Sequence, residues 1–161
     1  MVEIGDAAPD FTLDGAVDGE ITTVTLSDHL DGRPAILAFY IYDFNPVCTE
    51  QVCEIDDMEF VTFDDDLCVF GISTDGPFAH RRFAEDHDIS YPLLTDDTRW
   101  VYEQYGMYRE ADDGTRELSR GIVVIDPDWK VVYRWVADDN WDDRGMEAIA
   151  EAVDAAKAAT E

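Results

Sequence analysis

The stretch Ile36–Cys53, ILAFYIYDFNPVCTEQVC, decides the fold of this chain. It begins with an unbroken apolar and aromatic run, Ile36–Tyr42, which predicts a buried central strand. The Asn and Pro of Asp43–Pro46 predict a turn, and the residues from Val47 onwards predict the first turns of a helix. Cys48 is therefore expected where a buried strand has ended and a helix begins.

This position makes Cys48 a candidate reactive thiol. The N–H groups of a first helical turn have no partner within the helix, and the positive end of the helix dipole lies there. Both effects favour the thiolate, which is the nucleophilic form of cysteine. The alternative is that Cys48 is a small buried apolar residue, but a helix start after a buried strand favours the reactive interpretation.

Strand and helix patterns alternate through the rest of the chain. The predicted elements after Cys48 are a helix to about Phe63, a strand Leu67–Ser73, a helix Gly76–His87, a short strand Pro92–Thr95, a short helix Thr98–Tyr105, a hairpin of Gly121–Asp126 with Val131–Val136, and a last helix Met146–Ala159. Gly15–Gly19 is predicted to be a turn, and Glu110–Glu117 a loop with Asp113-Gly114 at its tip. This order predicts a three-layer α/β domain whose mixed sheet has parallel strands first and an antiparallel hairpin last. Because there is no repeat or linker, we expect residues 1–161 to form a single domain.

The chain is strongly acidic, with 38 Asp and Glu against 11 Lys and Arg and a formal net charge of -27. The acids are spread along the whole chain, so its field would repel nucleic acids and anionic membranes. Only two lysines are present, Lys130 and Lys157. A single-sign surface with so little Lys resembles the proteins of salt-loving organisms, in which molar salt screens self-repulsion. We therefore expect a halophilic protein, the alternative being an ordinary acidic one.

Cysteine and histidine usage indicates the compartment and the chemistry. No secretory signal and no bilayer-spanning apolar run is visible in the sequence, so a cytoplasmic location is expected. Three cysteines are too few for a disulfide framework, and an odd number points to redox or catalytic use. The histidines, His29, His80 and His87, are scattered without metal-ligand spacing and are expected to be structural or solvent-facing. No phosphate loop or haem motif is present, so no cofactor is expected.

Four segments of the chain resemble one family. They are IGDAAPDFTL (Ile4–Leu13), NPVCTEQVC (Asn45–Cys53), GISTDGPFAHRRFAEDHDISYPLLTD (Gly71–Asp96) and SRGIVVIDPDWKVVYRW (Ser119–Trp135). Together they are similar to the peroxiredoxins, the AhpC/TSA superfamily, in its bacterioferritin-comigratory-protein-like or one-Cys-like branch. The resemblance covers nearly the whole chain and implies a thioredoxin-like fold, with a central mixed β-sheet flanked by helices. The thioredoxin motif C-x-x-C itself is absent.

The resemblance implies a thiol-dependent peroxidase that reduces hydrogen peroxide and organic hydroperoxides. Cys48 then corresponds to the peroxidatic nucleophile, which becomes a sulfenic acid. Arg120 corresponds to the family's arginine, whose cation lowers the thiol pKa and binds peroxide oxygens. The alternative for Arg120 is a surface charge. The implied partners are a thioredoxin-like or small-thiol reductant and, because family members often pair through loops near the active site, a second copy of the chain.

The chain departs from the family motif P-x-x-x-T-x-x-C at two positions. Asn45 replaces the Thr, and its amide can donate and accept hydrogen bonds toward peroxide as a hydroxyl would. Ile41 replaces the Pro; it keeps an apolar wall but is not a ring without an N–H. A third position, often Glu in the family, is Gln51. These changes leave the expected reaction class in place and bear on its rate.

Cys53 matches the second cysteine of that branch and is the candidate resolving residue. Residues five apart in an intact helix have Cα atoms roughly 8–9 Å apart, beyond the ~7 Å limit for a disulfide. The first helical turns must therefore unwind before Cys53 can attack Cys48. The alternative is that an external thiol resolves Cys48. Cys68, within an apolar strand pattern, is expected to be inert core.

Two other functions compete with the peroxidase. One is a disulfide oxidoreductase of the same fold, which the absence of C-x-x-C disfavours. The other is a non-catalytic binding or chaperone module, to which the replacements at Asn45 and Ile41 lend some weight. Peroxide consumption by wild type and by Cys48→Ser discriminates the three.

Overall fold

The computed structural model describes residues 2–56, 67–138, 140 and 147–160. Its strands are Thr12–Val17 (β1), Glu20–Thr25 (β2), Ala35–Phe39 (β3), Cys68–Ser73 (β4), Leu93–Thr95 (β5), Tyr108–Glu110 (β6), Arg116–Leu118 (β7), Gly121–Ile125 (β8) and Val131–Val136 (β9). Its helices are Leu26–Leu30 (α1), Pro46–Asp56 (α2), Pro77–His87 (α3), Trp100–Gln104 (α4) and Glu147–Thr160 (α5).

One seven-stranded sheet, in the order β2-β1-β5-β4-β3-β8-β9, organises these elements. Strands β3, β4 and β5 run parallel, whereas β8 is antiparallel to β3 and forms a hairpin with β9. This confirms the predicted mixed sheet and its last antiparallel hairpin. The parallel strands do not come first, however, because β1 and β2 form an antiparallel hairpin and β1 also pairs antiparallel with β5. The carboxyl ends of β3, β4 and β5 lie at the same edge of the sheet, so the loops that follow them are neighbours.

The central strand is β3, and all five of its residues are buried because both faces of the sheet are covered. Alternate side chains enter two separate cores, with Leu37 in one and Ile36 and Ala38 in the other. Ladder pairing to β8 ends at Phe39, although the apolar run continues to Tyr42. The predicted strand was therefore too long, since the backbone beyond Phe39 turns away to meet α2.

The prediction of a turn over Gly15–Gly19 was wrong in its first half. Gly15 lies within β1, paired with Leu94 of β5, and a Cβ there would come within 2.4 Å of the Leu93 carbonyl oxygen. Glycine serves close strand packing at this position rather than a turn. The turn itself is Asp18-Gly19, where both residues have positive φ, as a two-residue hairpin loop requires.

The polar stretch Glu110–Glu117 is a hairpin rather than a simple loop. Strands β6 and β7 pair on either side of it, and Asp113-Gly114 lies at the tip with Gly114 at a φ of 84°. The tip was predicted correctly. The two strands were missed because they have three residues each and are largely exposed, so they carry little hydrophobic alternation.

The predicted helices α3, α4 and α5 are confirmed within a few residues at each end. Helix α2 is described as far as Asp56, with Val52 and Ile55 buried as its periodicity predicts. Its expected continuation to Phe63, including Met58, lies outside the described residues. Among the helices that the structure describes, none has the length and apolarity needed to cross a bilayer.

Candidate active site

Asn45 begins the helix that carries Cys48. Its side-chain Oδ1 accepts hydrogen bonds from the N–H groups of Val47, at 3.0 Å, and of Cys48, at 3.2 Å. Its carbonyl accepts the first helical bond from the Thr49 N–H at 2.8 Å. Asn is among the residues that best satisfy a helix N-terminus in this way. Its amide oxygen is thus used in capping, while its NH₂ group forms no hydrogen bond with the described residues.

The sulfur of Cys48 is buried and touches the end of the central strand. Sγ accepts a hydrogen bond from the Ile41 N–H at 3.4 Å, and the Tyr42 N–H also donates to it. Burial nevertheless raises the pKa of the Cys48 thiol, while these two donors and the charge of Arg120 act to lower it. Desolvation of the thiolate outweighs these favourable contacts, so burial opposes the thiolate that a helix start is expected to favour.

Arg120 is 1 % exposed, so it is not the surface charge that the sequence left open as an alternative. Its Nη1 donates to Gln51 Oε1 at 3.0 Å, and its Nε donates to the Asn140 carbonyl at 2.8 Å. Gln51 in turn donates through Nε2 to the Phe39 carbonyl at 3.3 Å. We call Arg120, Gln51 and Asn140 the Arg120 cluster. In it, amide and carbonyl oxygens accept hydrogen bonds from the guanidinium and keep it next to the helix that carries Cys48.

A second polar group, the His80 cluster (Tyr40, Asp43 and His80), lies at the far end of the Phe39–Asp43 loop, whose near end is bonded to Gln51 of the Arg120 cluster. His80 Nδ1 is 2.8 Å from Asp43 Oδ2, and the Tyr40 hydroxyl donates to Asp43 Oδ1 at 2.7 Å. His80 Nε2 is 3.0 Å from the Leu94 carbonyl oxygen. The ring is fully buried. From the sequence, His80 was expected to be structural or solvent-facing, but its pairing with Asp43 was missed. The one local signal that His80 is buried is its three-residue spacing from buried Phe83 on the same helix.

The other two cysteines occupy different environments. Cys53 is half-buried within the intact α2, and neither it nor Cys48 or Cys68 forms a disulfide. Cys68 is buried at the start of β4, where its thiol donates to the His29 carbonyl at 3.3 Å and burial raises its pKa. The core position predicted for Cys68 is confirmed. Within the described residues, no group of three His, Cys, Asp or Glu could hold a metal ion.

Comparison with known proteins places this arrangement in a family. The family model of AhpC/TSA matches residues 4–134. The chain is 31% identical over 137 residues to peroxiredoxin Bcp of Bacillus subtilis (strain 168), covering 83% of this chain and 85% of that protein. It is 36% identical over 137 residues to a putative peroxiredoxin bcp of Coxiella burnetii (strain RSA 493 / Nine Mile phase I), covering 83% of this chain and 88% of that protein.

Solved structures agree with these sequence relatives. The crystal structure of peroxidoxin BcpB from Mycobacterium tuberculosis superposes with a TM-score of 0.80 at 31% identity, covering 98% of each chain. A family match over most of the chain, together with relatives above 30% identity, establishes membership. The chain therefore belongs to the AhpC/TSA family and is a bacterioferritin-comigratory-protein-like peroxiredoxin, a thiol-dependent peroxidase with a thioredoxin-like fold.

Proposed function

We propose that Cys48 is the peroxidatic nucleophile of this enzyme. Its thiolate sulfur attacks one peroxide oxygen, the O–O bond breaks, and Cys48 becomes a sulfenic acid. The departing oxygen takes up a proton and leaves as water or as an alcohol. The observation that carries the proposal is the convergence of the Ile41 N–H, the Tyr42 N–H and the charge of Arg120 on this sulfur.

Arg120 is proposed to act on both the nucleophile, the Cys48 thiolate, and the leaving oxygen of the peroxide. Its charge favours the Cys48 thiolate, which burial disfavours. As the O–O bond breaks, negative charge grows on the leaving oxygen, and a guanidinium held in advance stabilises it without reorganising. The hydrogen bonds to Gln51 and Asn140 support this role, because they hold the buried side chain in one orientation.

Asn45 is proposed to take the place of the family's Thr. Its Oδ1 is occupied by the helix N-terminus, so the group that remains for a peroxide oxygen is its NH₂, a donor only. Its capping bonds also hold Cys48 at the first turn of α2, and this positioning supports the assignment even before peroxide binds.

Cys53 is proposed to resolve the sulfenic acid. Its thiolate attacks Cys48 Sγ, the S–O bond breaks and a disulfide forms, and the departing hydroxide takes up a proton to leave as water. Because α2 is intact between the two residues, this step requires its first turns to unwind. After one equivalent of peroxide, mass spectrometry should find a loss of two hydrogens and a peptide that links Cys48 to Cys53. Sulfenic or sulfinic acid on Cys48 with Cys53 free would indicate resolution by an external thiol instead.

A thioredoxin-like or small-thiol reductant is the proposed electron donor, which suits a reducing cytoplasm. We also propose a homodimer that pairs through the loops around Cys48. Four large apolar side chains follow the carboxyl ends of β3, β4 and β5 and are 47% to 69% exposed, namely Tyr42, Phe44, Phe78 and Trp100. Sedimentation of the wild type against Phe78→Ser tests the dimer, which would be refuted by a monomeric wild type.

One experiment tests the central assignment. Cys48→Ser should abolish peroxide consumption with a thiol reductant, because a hydroxyl at this site is not ionised and is a poor nucleophile. Cys68→Ser is the matched control, since that buried thiol lies outside the active site and its loss should leave turnover largely intact. Turnover in Cys48→Ser would contradict the nucleophile. Disulfide exchange without peroxide consumption by the wild type would favour the oxidoreductase, and neither activity would favour a binding module.

A further inference from the structure

The backbone N–H of Ile41 lies just beyond the end of β3 and forms no hydrogen bond in the ladder between β3 and β8. The preceding N–H, that of Tyr40, still donates to the Ile72 carbonyl of β4 at 3.0 Å. Successive N–H groups along a strand point to opposite sides, so the N–H of Ile41 is on the side of β8. There, the register that pairs Phe39 with Gly121 would bring Ser119 opposite Ile41. The chain has already turned away at Ser119, whose N–H donates to the Met107 carbonyl at 3.0 Å.

The acceptor that this N–H finds is the reactive sulfur. Cys48 Sγ is 3.4 Å from the Ile41 nitrogen, and both residues are at most 7 % exposed. Water cannot easily replace the sulfur as acceptor in such an environment, and an unpaired buried N–H is costly. A thiolate is a much stronger acceptor than a neutral thiol, because charged partners roughly double the strength of a hydrogen bond. The contact therefore favours the charged form of Cys48.

We propose that the Ile41 main-chain N–H is a catalytic donor that holds the Cys48 thiolate in this chain. Proline, which the family resemblance expects at this position, has no N–H and could not make this contact. The Ile41 side chain packs in the same core as Cys48, so the residue supplies both an apolar wall and a donor. This inference rests on the proposed function of Cys48 as the nucleophile.

The Ile41 N–H and the apolar Ile41 side chain can be tested separately by substitution. Ile41→Pro removes the N–H and keeps an apolar side chain, whereas Ile41→Val keeps the N–H and only shortens the wall. Thiolate formation is followed by the ultraviolet absorbance of the thiolate during a pH titration. Second-order reaction with hydrogen peroxide is followed in stopped flow by tryptophan fluorescence. We expect Ile41→Pro to titrate at higher pH and to react about tenfold more slowly, as the loss of one charge-assisted bond predicts. Ile41→Val should react about tenfold faster than Ile41→Pro, because it keeps the N–H and loses only one methyl group of the side chain.

A backbone ester at position 41 addresses the chance that proline disturbs the fold. The ester replaces the N–H by an oxygen and retains the isoleucine side chain, so it should reproduce the slow reaction of Ile41→Pro. It also weakens the Tyr40 carbonyl as an acceptor for the Tyr102 hydroxyl. Tyr102→Phe removes this bond together with the bond from the same hydroxyl to the Ile72 carbonyl at 3.0 Å, so it sets an upper limit on that side effect. An ester variant that slows no more than Tyr102→Phe overturns the inference.

The outcomes separate this inference from the proposed function. An inactive Cys48→Ser, with the proline and ester variants both slow and the valine variant fast, supports both. An inactive Cys48→Ser, with the proline and ester variants as fast as Ile41→Val, overturns only the role of the Ile41 N–H. Turnover by Cys48→Ser overturns the proposed function, and the inference with it.

Discussion

The two polar clusters at the ends of the Phe39–Asp43 loop are both buried, but they are built differently. In the Arg120 cluster a cation donates to amide and carbonyl oxygens, and these contacts do not neutralise its charge. In the His80 cluster the histidine faces the carboxylate of Asp43 at 2.8 Å, and a tyrosine hydroxyl donates to the same carboxylate. These contacts of Arg120 are therefore with uncharged acceptors, whereas those of His80 include a carboxylate.

The difference explains which cluster acts on the reactive sulfur. The charges that most affect the pKa of Cys48 are Arg120, which lowers it, and Asp75, which raises it. Asp75 also accepts the N–H of Asp43 at 2.8 Å, so it links the loop to the end of β4. We infer that the Arg120 cluster sets reactivity, whereas the His80 cluster holds the loop on which Cys48 depends.

Removing His80 should have the largest effect, and the effect should be on stability. His80→Ala leaves the buried Asp43 carboxylate with the Tyr40 hydroxyl but without its histidine partner, and breaking a buried pair in this way costs about 3–5 kcal/mol. Urea unfolding followed by circular dichroism would measure the loss. His87→Ala is the matched control on the same helix. This exposed ring contacts Phe83 with centroids 4.9 Å apart and an interplanar angle of 59°, and its removal should cost under about 1 kcal/mol. Equal losses for the two variants would contradict the structural role of the His80 cluster.

Arg120→Met should have the next largest effect, on the rate. Loss of a charge-assisted contact worth ~1.5–3 kcal/mol predicts a reaction with peroxide more than about tenfold slower. The pKa of Cys48 should rise as well, because a neighbouring cation favours the thiolate. Stopped-flow kinetics and a thiolate titration measure the two changes.

Arg134→Met is the control for Arg120→Met. Arg134 also donates to backbone carbonyls, with Nη2 at 2.8 Å from Gly106 O, but it is absent from the groups that act most on Cys48. Its loss should lower stability while leaving the rate per folded molecule unchanged. If Arg120→Met kept both the wild-type rate and the wild-type titration, the Arg120 cluster would be structural like the His80 cluster.

Salt should give the smallest change in the function of the two clusters, because they are buried. It should clearly weaken the repulsion between surface charges. At a net charge of -27, self-repulsion weakens as the Debye length falls from about 10 Å at 0.1 M to about 3 Å at 1 M. Salt also weakens exposed ion pairs such as Arg82–Asp86, but such pairs contribute little. Tm should therefore climb with potassium chloride by ~2–4 °C for each kcal/mol of repulsion removed.

The rate of reaction with neutral hydrogen peroxide should change much less with salt, per folded molecule. An anionic oxidant, by contrast, should be repelled at low salt and react faster as salt rises. A Tm that stays flat or falls between about 0.1 and 2 M salt, a range that brackets these screening lengths, would contradict the halophilic proposal. It would leave the peroxidase assignment untouched.

Much of the fold could be predicted from local patterns. The apolar run Ile36–Tyr42, followed by the turn Asp43–Pro46, predicted a buried strand and then a helix. Both are present, with Cys48 in the first turn of the helix. The hairpin of β8 and β9 was also predicted from two apolar runs around a tight loop. Gly15 misled the prediction because a glycine that admits a neighbouring backbone and a glycine that forms a turn look alike in sequence.

Distant pairings could not be predicted in this way. Tyr40 and His80 are 40 positions apart, and Arg120 and Gln51 are 69 apart. Family resemblance pointed to Arg120 as a functional residue but not to the oxygens that hold it. Nothing near Asp43 or His80 in the sequence marks them as partners, because each faces the other only after β3 and α3 have packed together.

The sequence by itself determined that Cys48 begins a helix after a buried strand, since hydrophobic period, capping residue and turn are encoded within a few positions. Only the tertiary structure decided the direction of its pKa shift. Burial in one of the two cores raises that pKa, against two backbone donors and one arginine that lower it. Desolvation depends on every element packed around a group, and the elements that bury Cys48 come from parts of the chain far apart in sequence.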